Sequence, residues 1–241
     1  MNDDLEQLLK ALHLKKIAAI LDAELEKAET EQLPIPQLLA RLLRAEWQSR
    51  QESALTWRIG KAAMPEPWTL ESFPFKKQPG VNQRQIRTFA ELDFIPRAEN
   101  IVFIGPTGVG KTGLACGLLL KALQNGHRGL FVKAQDLFDE MYASLADRSS
   151  RKLLNHLSRV DVIVIDEMGY LNLKPEQTNI FFKLMEERYR RHPTIITTNL
   201  EYAEWDSFLG NKHLVTALLS RLRHQCHTVK IKGPSLRQPQ S

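Results

Sequence analysis

The chain has 241 residues, a formal net charge of +5 and only two cysteines, Cys116 and Cys226, without paired spacing, so a disulfide frame or zinc site has little support, while one α/β domain and a small accessory domain fit the length. No apolar run approaches the roughly 20 residues of a membrane-spanning helix, and the charged, periodic start "MNDDLEQLLKALHLKKIAAIL" is unlike a signal peptide, so the expectation is a cytoplasmic protein with no membrane partner. Residues 1–66 carry nine Lys or Arg against eleven Asp or Glu, whereas the end from Ser220 to Ser241 carries Arg221, Arg223, Lys230, Lys232 and Arg237 with no acid, a distribution that favours polyanions at that end.

Leucines and isoleucines recur at Leu5, Leu8, Leu9, Leu12, Ile17, Ile20, Leu21 and Leu25, which gives the stretch from Leu5 to about Lys27 one apolar helical face. After "TEQLPIP" a second helical pattern runs from Pro36 to about Ala63 through Leu38, Leu39, Leu42, Leu43, Trp47 and Leu55. Together these predict a small all-helical domain over residues 1–65. Pro65, Pro67, Pro74 and Pro79 then crowd into "MPEPWTLESFPFKKQPGVNQ", which is linker chemistry, and residues 66–98 read as a linker and lead-in. From residue 99 to 241 short β-branched runs alternate with longer helical stretches, the pattern of parallel strands joined by crossover helices. The expected strands are "NIVFIG" (100–105), "GLFVKA" (129–134), "VDVIVID" (160–166), "TIITTN" (194–199) and "HTVKIK" (227–232). Runs this continuous fit strands covered by helices on both faces, so the fold class is α/β.

Between the first strand and the next helix stands "GPTGVGKT", which matches G-x-x-x-x-G-K-T in the setting that motif requires. Gly105, Pro106, Thr107, Gly108, Val109 and Gly110 would form a loop whose backbone amides cradle phosphates at a helix amino terminus. Lys111 would reach the β and γ phosphates of ATP, and Thr112 would ligate Mg2+. In "VDVIVIDEMGY" the apolar run delivers Asp166 to a strand end, where its carboxylate can hold the magnesium shell beside Thr112. Glu167 follows and can orient and deprotonate an attacking water, which argues for hydrolysis rather than nucleotide storage. Asn199, ending "TIITTN", would stand beside Glu167 and position the water or sense the γ-phosphate. Arg221, in "LLSRLRHQC", is suited to stabilising transition-state charge in a neighbouring subunit of a homo-oligomer.

These motifs resemble those of the AAA+ ATPases. More closely, "TLESFPF", "NIVFIGPTGVGKT", "VIVIDEMGYL", "FFKLMEERY", "TIITTNL", "EWDSFLG" and "LLSRL" resemble the IstB family, the helper ATPases of insertion-sequence transposition. The resemblance implies an AAA+ P-loop NTPase that assembles with ATP on duplex DNA, deforms it and presents it as a target to a cognate transposase. It assigns nucleotide-site roles to Lys111, Thr112, Asp166, Glu167, Asn199 and Arg221. Two departures stand out. Residue 113, often histidine in this group, is Gly113, and after Lys232 only "GPSLRQPQS" remains, too short for the helical lid of many AAA+ proteins unless Arg237 substitutes for a lid arginine.

Sequence-independent binding of double-stranded DNA needs cations aimed at phosphates. The candidates are Lys76, Lys77, Arg84 and Arg87 in the lead-in, with Arg223, Lys230 and Lys232 near the carboxyl end. A replicative helicase loader that grips a helicase and engages single strands is the alternative within the same group. Aromatic platforms would favour it, but the four Trp and four Tyr are not clustered in a basic setting. A small-molecule kinase using the same phosphate loop would need a substrate pocket and lid, whereas the acid pair, the Asn and the arginine point to hydrolysis in an oligomer.

Overall fold

In the computed structural model, which describes residues 3–66, 68–169, 173–210 and 212–237, the first periodic stretch forms two helices, α1 (Asp3–Ala11) and α2 (Lys15–Thr30). Pro67 of the linker, Tyr170 and Leu171 of the acid-pair motif, and the last four residues of the basic end lie outside the described residues. The break comes at His13, whose φ of 56° is left-handed. Leu14 N donates to Leu9 O at 2.8 Å and His13 N to Lys10 O at 3.0 Å, the closing bonds of a helix that ends by reversing its backbone hand.

The third helix, α3, spans Ile35–Lys61. By internal packing the chain divides into two compact units, Met1–Trp57 and Arg58–Ser241, so the last turn of α3 belongs to the second. In the first unit Leu9, Ile17, Leu21 and Leu42 form the core. Leu14 cannot cap α2, and the Glu46 carboxylate of α3 does so instead, accepting from Lys16 N at 2.8 Å and Ile17 N at 3.1 Å, which satisfies two otherwise orphaned donors. Arg50 braces that carboxylate at 2.9 Å and also donates to His13 O at 3.1 Å.

The second unit opens with Arg58, whose Nε donates to Leu123 O at 2.9 Å. A 3-10 turn at Phe75–Lys77 and helix α4 (Gln83–Ala90), capped by Asn82, lead into the sheet. The remaining order is β1 (Asn100–Ile104), α5 (Lys111–Gln124), β2 (Gly129–Lys133), α6 (Ala134–Ala146), α7 (Ser150–Ser158), β3 (Val162–Met168), α8 (Pro175–Arg188), β4 (Thr194–Thr198), α9 (Trp205–Leu209), α10 (Lys212–His224) and β5 (Cys226–Lys230). The five strands form one parallel sheet in the order β2-β3-β4-β1-β5, at the expected places in the sequence. Among the described residues no helix is long and apolar enough to cross a membrane.

Alternation along the strands feeds two cores. Val102, Ile104, Ile163 and Ile165 point to the face covered by α6, α7, α8 and α10, where they meet Phe138, Leu157, Phe181 and Leu218. Helix α5, buried from Leu114 to Leu120, packs against β2, β3 and β4. Arg188 is buried at the other end of the sheet from the phosphate loop. Its guanidinium donates to Leu157 O at 2.7 Å, Val160 O at 2.8 Å, Pro193 O at 2.5 Å and Thr194 Oγ1 at 3.1 Å, tying the end of α7 to the starts of β3 and β4. Burial presses its pKa down to about 9, which leaves it charged at neutral pH.

Candidate nucleotide site

The chain leaves β1 at Ile104 and turns through the glycine-rich loop before α5 begins at Lys111. Gly108 and Gly110 hold φ of +85° and +94°, a region where a side chain is strained. Gly110 caps α5 without a side chain to receive the helix's first amides, so those donors and the positive end of the helix are offered to an outside anion. Lys111 Nζ donates to Gly105 O at 2.6 Å and Pro106 O at 2.8 Å. Burial lowers its pKa and Arg237 adds to the depression, against the pull of Asp166 and Glu167.

Strand β3 brings Asp166 beside the start of α5. Its carboxylate accepts from Thr112 Oγ1 at 2.9 Å and from Thr197 Oγ1 at 2.5 Å. Burial raises the Asp166 pKa despite these two hydrogen bonds, with Glu167 adding to the rise and Lys111 opposing it. Among the described residues no three His, Cys, Asp or Glu side chains converge as a metal cage. One hydroxyl and one carboxylate fit magnesium, which takes few protein ligands and completes its shell with water and nucleotide phosphates.

Glu167 is where β3 departs from regular pairing. The register with β4 shifts between Ile165 and Met168, and Glu167 has φ of 61°, a left-handed backbone that costs a non-glycine residue about 1–3 kcal/mol. The bulge is held by Glu167 N donating to Thr197 Oγ1 at 3.0 Å, and it turns the carboxylate out to the cleft. Lys133 Nζ, at the end of β2, stands 3.9 Å from Glu167 Oε2. Asn199 follows β4, near Gly169: a Cβ on Gly169 would lie 3.2 Å from Asn199 Oδ1 and 2.6 Å from Leu200.

These groups line one cleft of about 730 Å³, which contains Thr107, Gly108, Gly110, Lys111, Thr112, Asp166, Glu167 and Asn199. Gly105 and Pro106 face a second depression behind the loop, shared with Thr107, Asn199, Lys230 and Lys232, and the Val109 side chain is buried. The cleft also holds Trp68, Phe73, Phe131, Lys133, Thr197 and Leu236, none of them a site residue expected from the sequence, and Arg237. Trp68 and Phe73 come from the proline-rich lead-in and cover the start of α5. At Gly113 a Cβ would meet the Trp68 indole at 3.7 Å, so the indole occupies the space beside that position.

Arg221 lies elsewhere. It is on α10, 3.3 Å from Glu186, and lines a small depression with Asn100, Thr194 and Arg188. Asn100 and Thr194 begin their strands, so Arg221 is separated from its own cleft by the length of the sheet, about 16 Å for five residues. The candidate DNA contacts are all exposed and are spread over the unit. Lys76 and Lys77 sit on the 3-10 turn, and Arg84 and Arg87 on α4. Arg223 stacks 5.3 Å above the Tyr202 ring, and Lys230 pairs with Glu201 at 2.6 Å.

The family profile described as IstB-like ATP binding protein matches residues 7–241. The chain belongs to the IstB-like family. It is 36% identical over 234 residues to an IS21 protein from Pseudomonas aeruginosa named for ATP binding, covering 97% of this chain and 88% of that relative. With the corresponding IS5376 protein from Geobacillus stearothermophilus it shares 35% over 237 residues, 98% of this chain and 94% of the relative. Among solved structures, the DnaC helicase loader superposes with a TM-score of 0.55 at 24% identity, covering 76% of this chain and 99% of that one. DnaI gives 0.59 at 21%, covering 68% and 90%. At these identities the structural likeness establishes the AAA+ fold, and the insertion-sequence relatives establish the family of this IstB-like chain.

Proposed function

We propose that this IstB-like protein is a magnesium-dependent ATPase that assembles on duplex DNA and presents it to the transposase of its insertion sequence. In this reading Lys111 exchanges the loop carbonyls for the β and γ phosphates, and Thr112 with Asp166 holds the magnesium shell. The metal, when bound with the nucleotide, supplies charge neutralisation on those phosphates. Glu167 orients and deprotonates the attacking water, and Asn199 and Lys133 fix the polar wall around it.

One observation supports the oligomeric part of the reading: Lys111, Thr112, Asp166, Glu167 and Asn199 line one cleft at one end of the sheet, while Arg221 stands at the other. An arginine so placed serves a neighbouring subunit's phosphates in trans. The high coverage of the insertion-sequence relatives supports transposition over helicase loading, since the loader structures share only the fold.

The test is binding of the purified protein to random-sequence duplex and to single-stranded DNA of equal length, with ATP, ADP or no nucleotide. The expected result is cooperative, ATP-dependent binding to duplex without a helicase, falling as salt rises. Preference for single strands, or binding only once a replicative helicase is added, would reverse the reading in favour of a loader.

A further inference from the structure

We infer that Gln78 is a positioning residue for the phosphate loop, aiming the Gly110 amide at the nucleotide from behind. This rests on the reading of the cleft as an ATP site. Gln78 follows the 3-10 turn of the lead-in and has 0% exposed surface. Its side-chain Nε2 donates to Val109 O at 3.2 Å and to Pro234 O at 2.9 Å. Both donors of one amide are thereby used, joining the lead-in, the phosphate loop and the segment after β5.

The fit around that amide is close. A Cβ on Gly233 would stand 1.7 Å from Gln78 Oε1, and one on Gly80 would stand 2.1 Å from Lys232 O. The segment continues along the loop, where Leu236 N donates to Gly108 O at 2.8 Å. A Cβ on Gly108 would lie 2.2 Å from Ser235 Oγ. Two successive loop carbonyls, of Gly108 and Val109, therefore have fixed partners outside the loop.

A trans peptide is planar, so its C=O and its N–H point in opposite directions. Gln78 is buried and is not part of the cleft wall, while Gly110 is. Holding the Val109 carbonyl on Gln78 turns the Gly110 N–H the other way, toward the cleft. Without that hold the peptide is free to rotate, and a donor set before the phosphate arrives becomes one that must be ordered on binding. Because the amide meets ground state and transition state alike, the loss should fall on affinity rather than on the chemical step.

Titration calorimetry with ADP and with pyrophosphate, beside steady-state ATP turnover, tests this in the full chain. Gln78→Met keeps the bulk and removes the donor, and Gly233→Ala pushes the amide aside from the exposed segment. In each, the Kd for both ligands and the KM for ATP should rise about tenfold, with kcat within about twofold of wild type. A folded variant of either kind that binds ADP within about twofold of wild type would overturn the inference, whatever its thermal midpoint. If Gln78→Met does not fold, Gly233→Ala decides alone. Failure of the wild-type protein to bind ADP or ATP would instead overturn the site reading on which the inference rests.

Discussion

The Thr112 hydroxyl donates to Asp166 across 54 residues of sequence, its Oγ1 2.9 Å from Oδ1 and 3.1 Å from Oδ2. Helix α5 and strand β3 are thus joined at the two groups suited to share a magnesium shell. The carboxylate does this against the cost of burial, which raises its pKa in spite of the Thr197 and Thr112 hydrogen bonds. The ionised form is therefore disfavoured by the fold. Asp166→Asn should lower magnesium-dependent ATP turnover by at least about 100-fold and, by removing the buried charge, raise the thermal midpoint of the nucleotide-free protein at neutral pH. A lower midpoint would contradict the sign of that argument.

Glu167→Gln should separate binding from chemistry. The left-handed backbone and the bond to Thr197 are independent of the side-chain charge, so the variant keeps the geometry and loses the base. Turnover is expected to fall about 10²- to 10⁴-fold, with ATP affinity retained and DNA complexes that persist. Wild-type turnover would remove Glu167 from its role.

Arg221→Ala and Lys111→Ala should each be inactive in hydrolysis, the first by losing a contribution of about 10³ to 10⁵ and the second by losing nucleotide. Mixed together, they should regain activity, because an intact cleft on one chain can meet an intact arginine on another. Mixtures no more active than the separate variants would return Arg221 to a local or DNA-binding role.

Arg188 has no catalytic part in this reading, and its substitution should affect stability alone. Arg188→Ala leaves three carbonyls and the Thr194 hydroxyl without their buried donor and should cost about 1–3 kcal/mol for each acceptor left unsatisfied, read in urea denaturation. Arg188→Lys should recover only part of that, since an ammonium cannot reproduce the planar fork. Nucleotide affinity of the folded fraction should not change.

The sheet is legible in the sequence because buried parallel strands are unbroken apolar runs, as in Val162–Ile165, and the phosphate loop because its glycines, lysine and threonine have few substitutes. The break at His13 is not, since a left-handed residue other than glycine or asparagine carries no compositional mark. Trp68, Phe73 and Gln78 sit in a proline-rich stretch whose irregular backbone has no period to read, and their roles depend on contacts with α5 and the phosphate loop. Thr197 could have been anticipated: it lies two residues before Asn199 on β4, next to the strand that carries Asp166. The identity of Arg221 is visible in the sequence, but its distance from the cleft follows from its place beside Asn100 and Thr194, at the starts of β1 and β4.

That separation restricts the architecture of any assembly in which Arg221 serves a neighbouring cleft. Copies that follow one another head to tail meet that restriction, because a surface bearing the arginine and a surface bearing the cleft come together at each contact. The row either closes on itself or remains open with two unequal ends. In an open row one terminal chain holds ATP that it cannot finish hydrolysing, and the chain at the opposite terminus offers its arginine to nothing. Hydrolysis would then run in every copy but that one, and ATP held at the unfinished end would mark that end chemically as different from every other copy.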